Sequence, residues 1–499
     1  MLGFIVRTLG CLVLAAATLF AIGDIARSLS AESLRLTTVA EAAGYLSEEQ
    51  WVRAGTPQVA AGGGTEQIWS VVSQWPVSPT LAAIAILVAV ATQGRRLHMS
   101  QRVGFLLVTC VWLTASVVAA LPLYLSGLTN SFEAAVYEAV SGITTTGGTA
   151  LVGLDSMPRG ILLWRSLLQW LGGIGLVAMM VLILPQLRSG GLSLLRLESS
   201  DRSEKLLPRF SQLAVALFWI YGTLTLACTF AYYLAGMTLF DAVNHAMTTV
   251  TTAGFSTHDA SLGYYGTPGV LITGIVFMLL GALPAVLYIR IFLPGSLVRF
   301  RDPQVTVFLG ICLGLGLALS GVRYVLEGVP AGEALLTGFF NLVSLITTTG
   351  YATGDYMLWP NAALGILLPA LFIGGCAGST AGGIKVSRVV ILFSLVRANF
   401  RRLLRPNAVQ PMKYGRLDVS ALAIETLVIF IVLYFTMTIF GTIGLTLFGL
   451  DFISAFSASL SAVGNVGPGF GPLIGPAGNF AALPEGALWI LSFLMLVGR

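Results

Sequence analysis

Four short segments rich in threonine and glycine carry the residue types that could bind a dehydrated cation. They read SGITTTG at 141–147, TTVTTAG at 248–254, SLITTTG at 344–350 and SAVGNVG at 461–467, and we name them loops 1 to 4. Aligned on the last glycine, each loop has Ser or Thr six residues earlier and Thr or Asn two residues earlier. The last glycines are at 147, 254, 350 and 467, and are thus 107, 96 and 117 residues apart. A near-regular period of roughly 100 residues indicates repeated units.

The last four residues of each loop are the predicted ion ligands. Glycine adopts backbone angles that other residues avoid, so it can turn carbonyl groups toward an axis. Threonine hydroxyls add oxygen ligands or satisfy nearby backbone groups. One such tetrapeptide alone is usually an ordinary turn, but four in the same register predict rings of oxygens that replace the hydration shell of an ion. The predicted ligands are Thr144, Thr145, Thr146, Gly147, Thr251, Thr252, Ala253, Gly254, Thr347, Thr348, Thr349, Gly350, Gly464, Asn465, Val466 and Gly467.

A short, half-hydrophobic stretch precedes each loop and predicts a helix too short to cross a membrane. The stretches are 132–140, 240–247, 333–343 and 451–460, and each opens near an acid: Glu133, Asp241, Glu333 or Asp451. Acids stabilise the positive N-terminal end of a helix. The negative C-terminal end would then face the loop, where it attracts a cation. The repeated unit is therefore helix, short helix, loop, helix.

Composition places these units in a membrane. The chain is 56% hydrophobic and 10% charged, whereas soluble domains have about 25% charged residues. Apolar stretches long enough to cross the ~30 Å hydrocarbon core recur along the chain, which excludes a large soluble core. Irregular backbone such as the four loops is tolerated at membrane depth only where protein buries it or it lines a wet cavity. The ten candidate spans lie near 2–23, 76–93, 103–127, 160–187, 209–236, 268–293, 304–327, 361–396, 419–448 and 483–499.

Basic residues cluster in alternate connections between these spans. The largest group runs from Lys385 to Arg416, and another occupies 188–209. By the positive-inside rule these connections are cytoplasmic, which leaves the four loops facing outside. Contact with lipid headgroups explains such clusters equally well, and we retain it as the main interpretation for most of them.

The remaining polar residues do not predict an enzyme or a metal centre. Five cysteines stand singly in apolar segments, and three histidines are far apart in the sequence. Clustered His, Cys or carboxylate residues that could carry catalysis are missing from the spans. The sequence Gly-Gly-Ile-Gly at 172–175 lies inside an apolar span without the preceding strand of a nucleotide-binding fingerprint. Arg165, near one end of the same span, is expected to extend to the membrane interface.

The sequence resembles the Trk/Ktr/HKT superfamily of potassium transporters, from about residue 100 to the end. It is most similar to the membrane subunits of bacterial Trk-type uptake systems. Besides the four loops, the resemblance rests on WRSLLQWLGG at 164–173, GGCAGSTAGG at 374–383 and NVGPG at 465–469. It implies that the loop glycines form a potassium filter. It further implies a homodimer with one pore per protomer, and a cytosolic nucleotide-binding regulatory subunit.

Two consequences of the resemblance concern selectivity and the N-terminal region. In plant relatives a serine in place of the first glycine is associated with sodium permeation. Glycine at all four positions here therefore implies a preference for potassium. The two spans before residue 100 resemble the extra helix pair of Trk-type subunits.

The span near 361–396 is longer than one crossing requires, and its centre is rich in small residues. Gly374 and Gly378 have the GxxxG spacing of helix packing, which remains an alternative. Ten consecutive small residues favour a broken helix or a mobile loop. The resemblance implies an intramembrane gating loop there, facing an arginine on the last helix that Arg499 matches. The predicted gate residues are Gly374, Gly375, Gly378, Ser379, Thr380, Gly382, Gly383 and Arg499, whereas Lys385 and Arg388 are assigned to the cytoplasmic boundary.

These observations predict an all-α polytopic membrane protein. We expect four pseudo-repeats of helix, pore helix, filter loop and helix around one pore, preceded by two extra transmembrane helices. The predicted boundaries are 1–100 for the N-terminal pair, then 101–208, 209–302, 303–418 and 419–499 for repeats 1 to 4. Span 483–499 would cover only about 25 Å, so the fourth repeat is expected to be truncated at its C-terminal end.

The predicted function is potassium uptake across a bacterial cytoplasmic membrane through a channel-like pore, with K⁺ as the transported ion and without a covalently bound cofactor. The N-terminus is expected to be cytoplasmic. A cation-coupled secondary transporter is the alternative, since that class also uses repeats and broken helices near the midplane. Such transporters usually have intramembrane acids for coupling. The four loops contain hydroxyl groups and glycine instead, which favours the channel-like pathway.

Overall fold

The computed structural model describes residues 101–129, 131–182, 210–292, 302–405, 412–415 and 417–499. The predicted spans near 2–23 and 76–93, the N-terminal segment 1–100 and the basic connection 188–209 lie outside these residues.

The described chain is helical. The helices are α1 Gln101–Leu125, α2 Phe132–Ile143, α3 Arg159–Leu182, α4 Phe210–Leu234, α5 Leu239–Val250, α6 Pro268–Gly281, α7 Ala285–Phe292, α8 Pro303–Val322, α9 Ala331–Ile346, α10 Asn361–Phe372, α11 Val386–Leu404, α12 Ala421–Leu447, α13 Phe452–Gly464 and α14 Glu485–Gly498. One π-helical turn, Arg323–Glu327, extends α8. The two named strands in the described residues, β1 Lys413–Tyr414 and β2 Leu417–Asp418, form a short antiparallel pair.

Four of the described helices are long and apolar enough to cross a membrane by length and composition. They are Arg159–Val177 in α3, Ala216–Leu234 in α4, Pro303–Glu327 in α8 with its π turn, and Ala421–Leu447 in α12. Large apolar side chains on them remain exposed, among them Leu226 at 73% and Phe230 at 64%. Such a surface is typical of a protein that faces lipid rather than water.

The chain divides into two compact units. The first comprises 1–128 with 157–164, and the second comprises 129–156 with 165–499. Within the first unit, the indole Nε1 of Trp164 donates to the carbonyl of Ala119 at 3.1 Å. All four loops belong to the second unit.

The short helices before the loops begin where the sequence provides caps. Side-chain oxygens of Ser131, Thr238 and Asp451 accept hydrogen bonds from backbone N–H groups in the first turns of α2, α5 and α13. Such caps satisfy donors that have no partner inside the helix. In α9, which follows Pro330 without a side-chain cap, Glu333 lies in the first turn. The acidic starts noted in the sequence are therefore present at or near the first turns of all four helices.

Two predicted spans are interrupted. The span near 268–293 was predicted as one helix, and this was wrong: α6 ends at Gly281 and α7 begins at Ala285. Pro284, which precedes α7, has no N–H to continue the helical hydrogen bonds. The span near 361–396 breaks as expected, since α10 ends at Phe372 and α11 begins at Val386.

Candidate functional site

The four loops have the same backbone conformation. The residue two positions before each last glycine is left-handed, with φ of 52° at Thr145, 50° at Thr252, 56° at Thr348 and 52° at Asn465. The last glycines also have positive φ, between 81° at Gly254 and 104° at Gly467. Non-glycine residues rarely occupy this region. Four repetitions of the same unusual backbone at the aligned positions indicate a shared structural role.

The last glycine of each loop lies directly against the next loop. A Cβ atom added to any of these glycines would collide with the carbonyl oxygen of the residue that precedes the glycine in a neighbouring loop. These contacts run from loop 1 to 2, 2 to 3, 3 to 4 and 4 to 1, so they close into a ring. The distances from the added Cβ to the oxygen are 2.3 Å from Gly147 to Ala253, 1.7 Å from Gly254 to Thr349, 2.2 Å from Gly350 to Val466 and 2.7 Å from Gly467 to Thr146.

Most of the ring oxygens are not used by the protein. Within the described residues, the carbonyls of Thr146, Thr349 and Val466 accept no hydrogen bond. Loops 1 and 3 are stabilised instead by the first threonine of their last four residues. The hydroxyls of Thr144 and Thr347 each donate to the carbonyl four residues earlier at 2.7 Å. These three carbonyl oxygens therefore remain free to coordinate a ligand. A cation is such a ligand, because it can be coordinated by several oxygens at once.

Glycines on the following helices allow the ends of the short helices to approach closely. A Cβ at Gly172, Gly281 or Gly498 would lie within 2.4 Å of the carbonyl oxygen of Ile143, Val250 or Val463 respectively. Each of these carbonyls belongs to a residue immediately before the last four residues of a loop. The Gly-Gly pair at 172–173 thus has a packing role, consistent with rejection of the nucleotide interpretation.

A buried ion pair joins α3 to α2, the short helix that precedes loop 1. Arg165 and Glu138 are 1% and 0% exposed, and the Nε of Arg165 donates to Glu138 at 2.7 Å. The guanidinium also donates to the carbonyl of Ser256 at 3.0 Å, and it lies 4.2 Å from the centre of the Phe255 ring. The expectation that Arg165 extends to the membrane interface was therefore wrong. Its partner is 27 residues away in sequence, where no local pattern reveals it.

Gln169 holds the backbone on both sides of Gly254. Its Nε2 donates to the carbonyl of Ala253 at 2.7 Å, and its Oε1 accepts from the backbone N–H of Phe255 at 2.9 Å. Because Gln169 is fully buried, both hydrogen bonds are shielded from water. The sequence placed Gln169 in a recognised motif without indicating this role.

A cavity opens on one side of the glycine ring and is lined by residues of all four loops or their next neighbours. Gly147, Gly254, Gly350 and Pro468 contribute to its wall, as does His258. His258 contacts the carboxylate of Asp155 through its Nδ1. This hydrogen bond lowers the pKa of the Asp155 carboxyl. The contact connects the segment after loop 1 to the segment after loop 2.

The glycine-rich segment 374–383 contacts three of the four left-handed loop regions. The hydroxyls of Thr380 and Thr252 share a hydrogen bond of 3.0 Å. The backbone N–H of Gly382 donates to the hydroxyl of Thr348 at 2.6 Å. The N–H of Gly383 donates to the carbonyl of Gly464 at 2.8 Å.

Further contacts of segment 374–383 come from α8, where Oε1 of Gln304 accepts from Ala377 N–H at 2.9 Å, from the interrupted helices and from the end of α14. In the gap between α6 and α7, the carbonyl of Ala282 accepts from Cys376 N–H at 3.0 Å, and Ala285 N–H donates to the carbonyl of Gly378 at 2.9 Å. The Nη2 of Arg499 donates to the carbonyl of Thr380 at 2.9 Å.

Lys385 is part of this region, contrary to its assignment to a cytoplasmic boundary. It is buried, with 8% of its surface exposed, and its ammonium donates to the carbonyl of Ala381. A lysine next to a basic connection looks like a boundary residue in the sequence. Only the fold of the interrupted helix reveals that its side chain turns back along the segment.

The described residues contain no group of three or more His, Cys, Asp or Glu side chains that could hold a metal ion. The oxygens in the ring belong to the backbone, which suits a weakly bound alkali ion better than a tightly held transition metal.

The chain is similar to proteins of known function over most of its length. The profile of the TrkH family, described as a cation transport protein, matches residues 80–302 and 303–499. The Trk system potassium uptake protein TrkI of Halomonas elongata is 46% identical over 398 residues, covering 79% of this chain and 80% of that protein. TrkH of Salmonella typhimurium is 38% identical over 407 residues, covering 81% and 84%. The crystal structure of the potassium transporter TrkH from Vibrio parahaemolyticus matches with a TM-score of 0.80 at 30% identity, covering 100% of this chain and 96% of that one.

Proposed function

This chain belongs to the TrkH family of cation transport proteins, and from that premise we propose that it is the membrane subunit of a bacterial Trk-type system that takes up potassium. The resemblance drawn from the sequence motifs is confirmed, as is the prediction of a helical membrane protein at the level of the fold. The names of the relatives in Halomonas and Salmonella describe potassium uptake. We assign the same transported ion to this chain, as substrate rather than as a resident cofactor.

The closed ring of glycine-to-carbonyl contacts is the observation that carries the proposal. Each loop approaches its neighbour so closely that a single added carbon would displace a carbonyl oxygen. Loops held at this distance can present several oxygens to one ion. Replacement of a hydration shell by such oxygens is the basis of potassium conduction in carbonyl-lined filters. The proposed filter consists of residues 144–147, 251–254, 347–350 and 464–467.

The segment 374–383 is the proposed gate. It contacts the left-handed residues of loops 2 and 3 and the carbonyl of Gly464 in loop 4, so it lies directly behind the proposed filter. Arg499 holds it through Thr380. The residues of the segment itself are all small, so its movement would carry no large side chain of its own.

We further propose the architecture that the repeats imply. Residues 101–208, 209–302, 303–418 and 419–499 form four pseudo-repeats around one pore, preceded by two helices in 1–100. The N-terminus and the basic connections face the cytoplasm, and the filter loops face outside. The chain forms a homodimer in the bacterial inner membrane and binds a cytosolic nucleotide-binding Trk-type subunit. The repeated loops and the basic connections of the sequence support the repeats and the orientation, and the resemblance of the motifs to Trk-type subunits supports the dimer and the regulatory subunit.

The interrupted helices also fit a secondary transporter, in which broken spans near the midplane bind substrate and coupling ions. Gaps between α6 and α7 and between α10 and α11 have this character. The two mechanisms differ in whether potassium uptake requires the gradient of a second ion, such as sodium or the proton. Rubidium uptake that persists without sodium or proton gradients would favour the channel-like pathway.

The proposed filter is tested by substitution of one ring glycine. Gly147→Ser adds a Cβ that would lie 2.3 Å from the carbonyl of Ala253, at a φ of 88° that a serine rarely adopts. In liposomes containing the purified protein, we expect rubidium uptake to fall by about tenfold, equivalent to about 1.4 kcal/mol, with sodium uptake gaining relative to rubidium.

Gly310→Ser is the matched control, since nothing lies within 4 Å of the Cβ it would add in α8. It should retain the rubidium-to-sodium ratio of the unsubstituted protein. An unchanged ratio in a folded Gly147→Ser variant would overturn the filter assignment.

A further inference from the structure

Loop 4 differs from loops 1 and 3 in the side chains that hold it. In loops 1 and 3, the first and third of the last four residues are threonines that share a hydrogen bond. Their hydroxyl oxygens lie 2.8 Å apart in loop 1 and 2.7 Å apart in loop 3. Loop 4 has Gly464 and Val466 at the corresponding positions. The hydroxyl pair that stabilises loops 1 and 3 is therefore missing from loop 4.

Asn465 of loop 4 forms a hydrogen bond to loop 1 instead. Its Nδ2 donates to the hydroxyl of Thr146 and to the carbonyl of Met495 in α14, both at 3.0 Å. Asn465 and Thr146 are 0% and 1% exposed, so their hydrogen bond is shielded from water, where it is electrostatically stronger. A single buried amide thus joins loop 4, loop 1 and α14.

The hydrogen bonds of loop 1 require Asn465 to be the donor. The hydroxyl of Thr144 donates to the carbonyl of Val140 at 2.7 Å. Because a hydroxyl has only one proton, the hydroxyl of Thr146 must then donate to the oxygen of Thr144. Only the lone pairs of Thr146 remain for Asn465, and the carbonyl of Met495 is also an acceptor. Both amide protons are therefore committed to protein acceptors, and a carboxylate at this position could not replace them.

Thr146 also supplies a carbonyl to the glycine ring, at the loosest of its four contacts. A Cβ added to Gly467 would lie 2.7 Å from this oxygen, compared with 1.7–2.3 Å at the other three contacts. The hydroxyl of the same threonine accepts the hydrogen bond from Asn465. The Asn465–Thr146 hydrogen bond therefore acts across the junction of loops 4 and 1, where the backbones approach least closely.

We propose that Asn465 is a positioning residue that fixes the spacing between loops 4 and 1 and thereby the discrimination of potassium from sodium. Carbonyl-lined filters select an ion by the number and placement of the oxygens around it. Without the Asn465–Thr146 hydrogen bond, the carbonyl of Thr146 is free to approach a smaller ion. This effect rests on the proposed function, whereas the hydrogen bond does not, so ion uptake and stability are measured separately.

Direct contact with the ion is the alternative role of Asn465. Its Oδ1 is buried and has no hydrogen-bond partner among the described residues. Thr146→Val separates the two roles, because it removes the acceptor of the hydrogen bond but leaves the Oδ1 of Asn465 unchanged. Valine is the residue at the corresponding position of loop 4, Val466, so the loop conformation accepts its shape.

Asn465→Thr tests the proposal by making loop 4 resemble the other loops, which have threonine at this left-handed position. A threonine hydroxyl has one proton and is one bond shorter than the amide, so it cannot make both hydrogen bonds. In liposomes containing the purified full chain, we expect the rubidium-to-sodium uptake ratio to fall roughly fivefold, as for loss of one buried hydrogen bond. Thr146→Val should lower the ratio similarly.

Thr349→Val is the matched comparison for Thr146→Val. It removes the corresponding hydroxyl pair in loop 3, where the hydroxyl of Thr349 bonds only to Thr347 among the described residues. The substitution therefore measures the loss of the pair within one loop, without loss of a bond between loops. We expect it to lower the rubidium-to-sodium ratio less than Thr146→Val does.

Melting temperatures of the same variants in detergent test the hydrogen bond without transport. The losses caused by Asn465→Thr and Thr146→Val should not add in the double variant, because both substitutions remove the same bond. If Asn465→Thr does not fold, Asn465→Asp takes its place, since it keeps the shape of the amide and tolerates the left-handed backbone but has no N–H to donate. Additive losses would overturn the proposal.

The uptake ratios decide between the remaining outcomes. A lower ratio in Asn465→Thr together with an unchanged ratio in Thr146→Val would assign Asn465 to direct ion contact and overturn the positioning role. Non-additive melting temperatures with unchanged ratios in both variants would establish the hydrogen bond but reject its effect on selectivity. Non-additive melting temperatures without rubidium uptake by the unsubstituted protein would count against the proposed function alone.

Discussion

Individual residues in the loops are held in conformations that they would not adopt alone. Thr145, Thr252 and Thr348 have φ values between 50° and 56°, and this region costs a non-glycine residue about 1–2 kcal/mol. In loop 4 the position is Asn465, a residue type that tolerates the left-handed region better. Its Nδ2 donates to the hydroxyl of Thr146 and to the carbonyl of Met495, both at 3.0 Å. Such hydrogen bonds offset the backbone strain.

The Arg165–Glu138 pair makes a residue-scale prediction about stability. Both side chains are almost completely buried, and removal of one partner from a buried pair leaves an uncompensated charge that costs about 3–5 kcal/mol. We expect Arg165→Met and Glu138→Gln each to lower the melting temperature in detergent substantially. The double variant should be more stable than the sum of the single effects implies, because neither charge is then left alone.

The double-variant cycle separates this electrostatic cause from simple loss of packing. Thermal unfolding followed by size-exclusion chromatography gives all four melting temperatures under the same conditions. Additive effects of the two substitutions would mean that the pair does not act as a unit.

Gln169 gives a second residue-scale prediction with a nearly isosteric substitution. Gln169→Glu keeps an acceptor for Phe255 N–H but replaces the donor to the carbonyl of Ala253. A carboxylate facing that carbonyl repels it, so the oxygen that meets Gly147 should shift. We expect roughly tenfold lower rubidium uptake, equivalent to about 1.4 kcal/mol, in liposomes. Normal uptake would contradict the supporting role of Gln169.

At the scale of helices, the features that depend on neighbouring residues were predictable from the sequence. The acidic starts of the short helices, the repeated loops and the interruption of 361–396 all follow from neighbouring residues. The interruption of 268–293 was missed, because Pro284 within an apolar stretch is compatible with a kinked helix as well as a broken one. The break provides the carbonyl of Ala282 and the N–H of Ala285 to segment 374–383. Those partners come from a distant part of the chain, which sequence periodicity does not record.

The buried charged residues show the same limit. Arg165 and Lys385 were both assigned to membrane boundaries, since their positions next to apolar stretches suit long side chains that extend to the interface. In the structure both are buried, with partners that only the tertiary fold provides. In such repeats, hydropathy alone therefore does not show whether a charged residue near the end of an apolar span lies at the membrane interface or is buried in the protein.

The gate assignment makes an element-scale prediction. Deletion of Gly378 and Ser379 shortens the segment and removes the carbonyl that accepts from Ala285 N–H. If the segment blocks the pore, the deletion should raise rubidium flux at least twofold in liposomes at matched amounts of folded protein. Gly374 and Gly378 lie between α10 and α11, so the GxxxG helix-packing alternative does not hold; if the segment only fills space among its neighbours without blocking the pore, the deletion should lower the yield of folded protein.

Size-exclusion profile and melting temperature decide whether the deletion variant is folded before flux is compared. Flux that is unchanged or lower in a well-folded deletion would reject the gate. Arg499→Gln offers a milder comparison, because it removes the hydrogen bond to the Thr380 carbonyl without shortening the chain.

At the scale of the whole molecule, charge is distributed unevenly along the chain. Exposed arginines at 397, 401, 402 and 405 lie on the second half of α11 and directly after it, whereas the described residues around the loops carry few exposed cations. The fold family was predictable from the motifs, because motifs record local chemistry. Assemblies depend on surfaces formed by several helices and on partners outside the chain, so the dimer and the regulatory subunit stay predictions.

The proposed regulatory subunit gives a prediction at this largest scale. A cytosolic partner must bind the basic face, and electrostatic attraction there should increase association and be weakened by salt. We expect the purified protein to retain a Trk-type nucleotide-binding subunit in a pull-down. Neutralisation of Arg401, Arg402 and Arg405 to glutamine should weaken retention roughly fivefold or more, since each exposed charge contributes a fraction of a kcal/mol up to about 1 kcal/mol. The substitutions are expected to fold normally, because all three side chains are exposed. Substitution of Arg159, which lies at the start of α3, is the control and should leave retention unchanged.

Lipid contact alone also explains the exposed arginines of α11, and it predicts a different result. The intact protein would retain no subunit, and the triple variant would differ only in its affinity for anionic vesicles. Absence of binding by the intact protein would therefore reject the partner and leave the lipid interpretation in place.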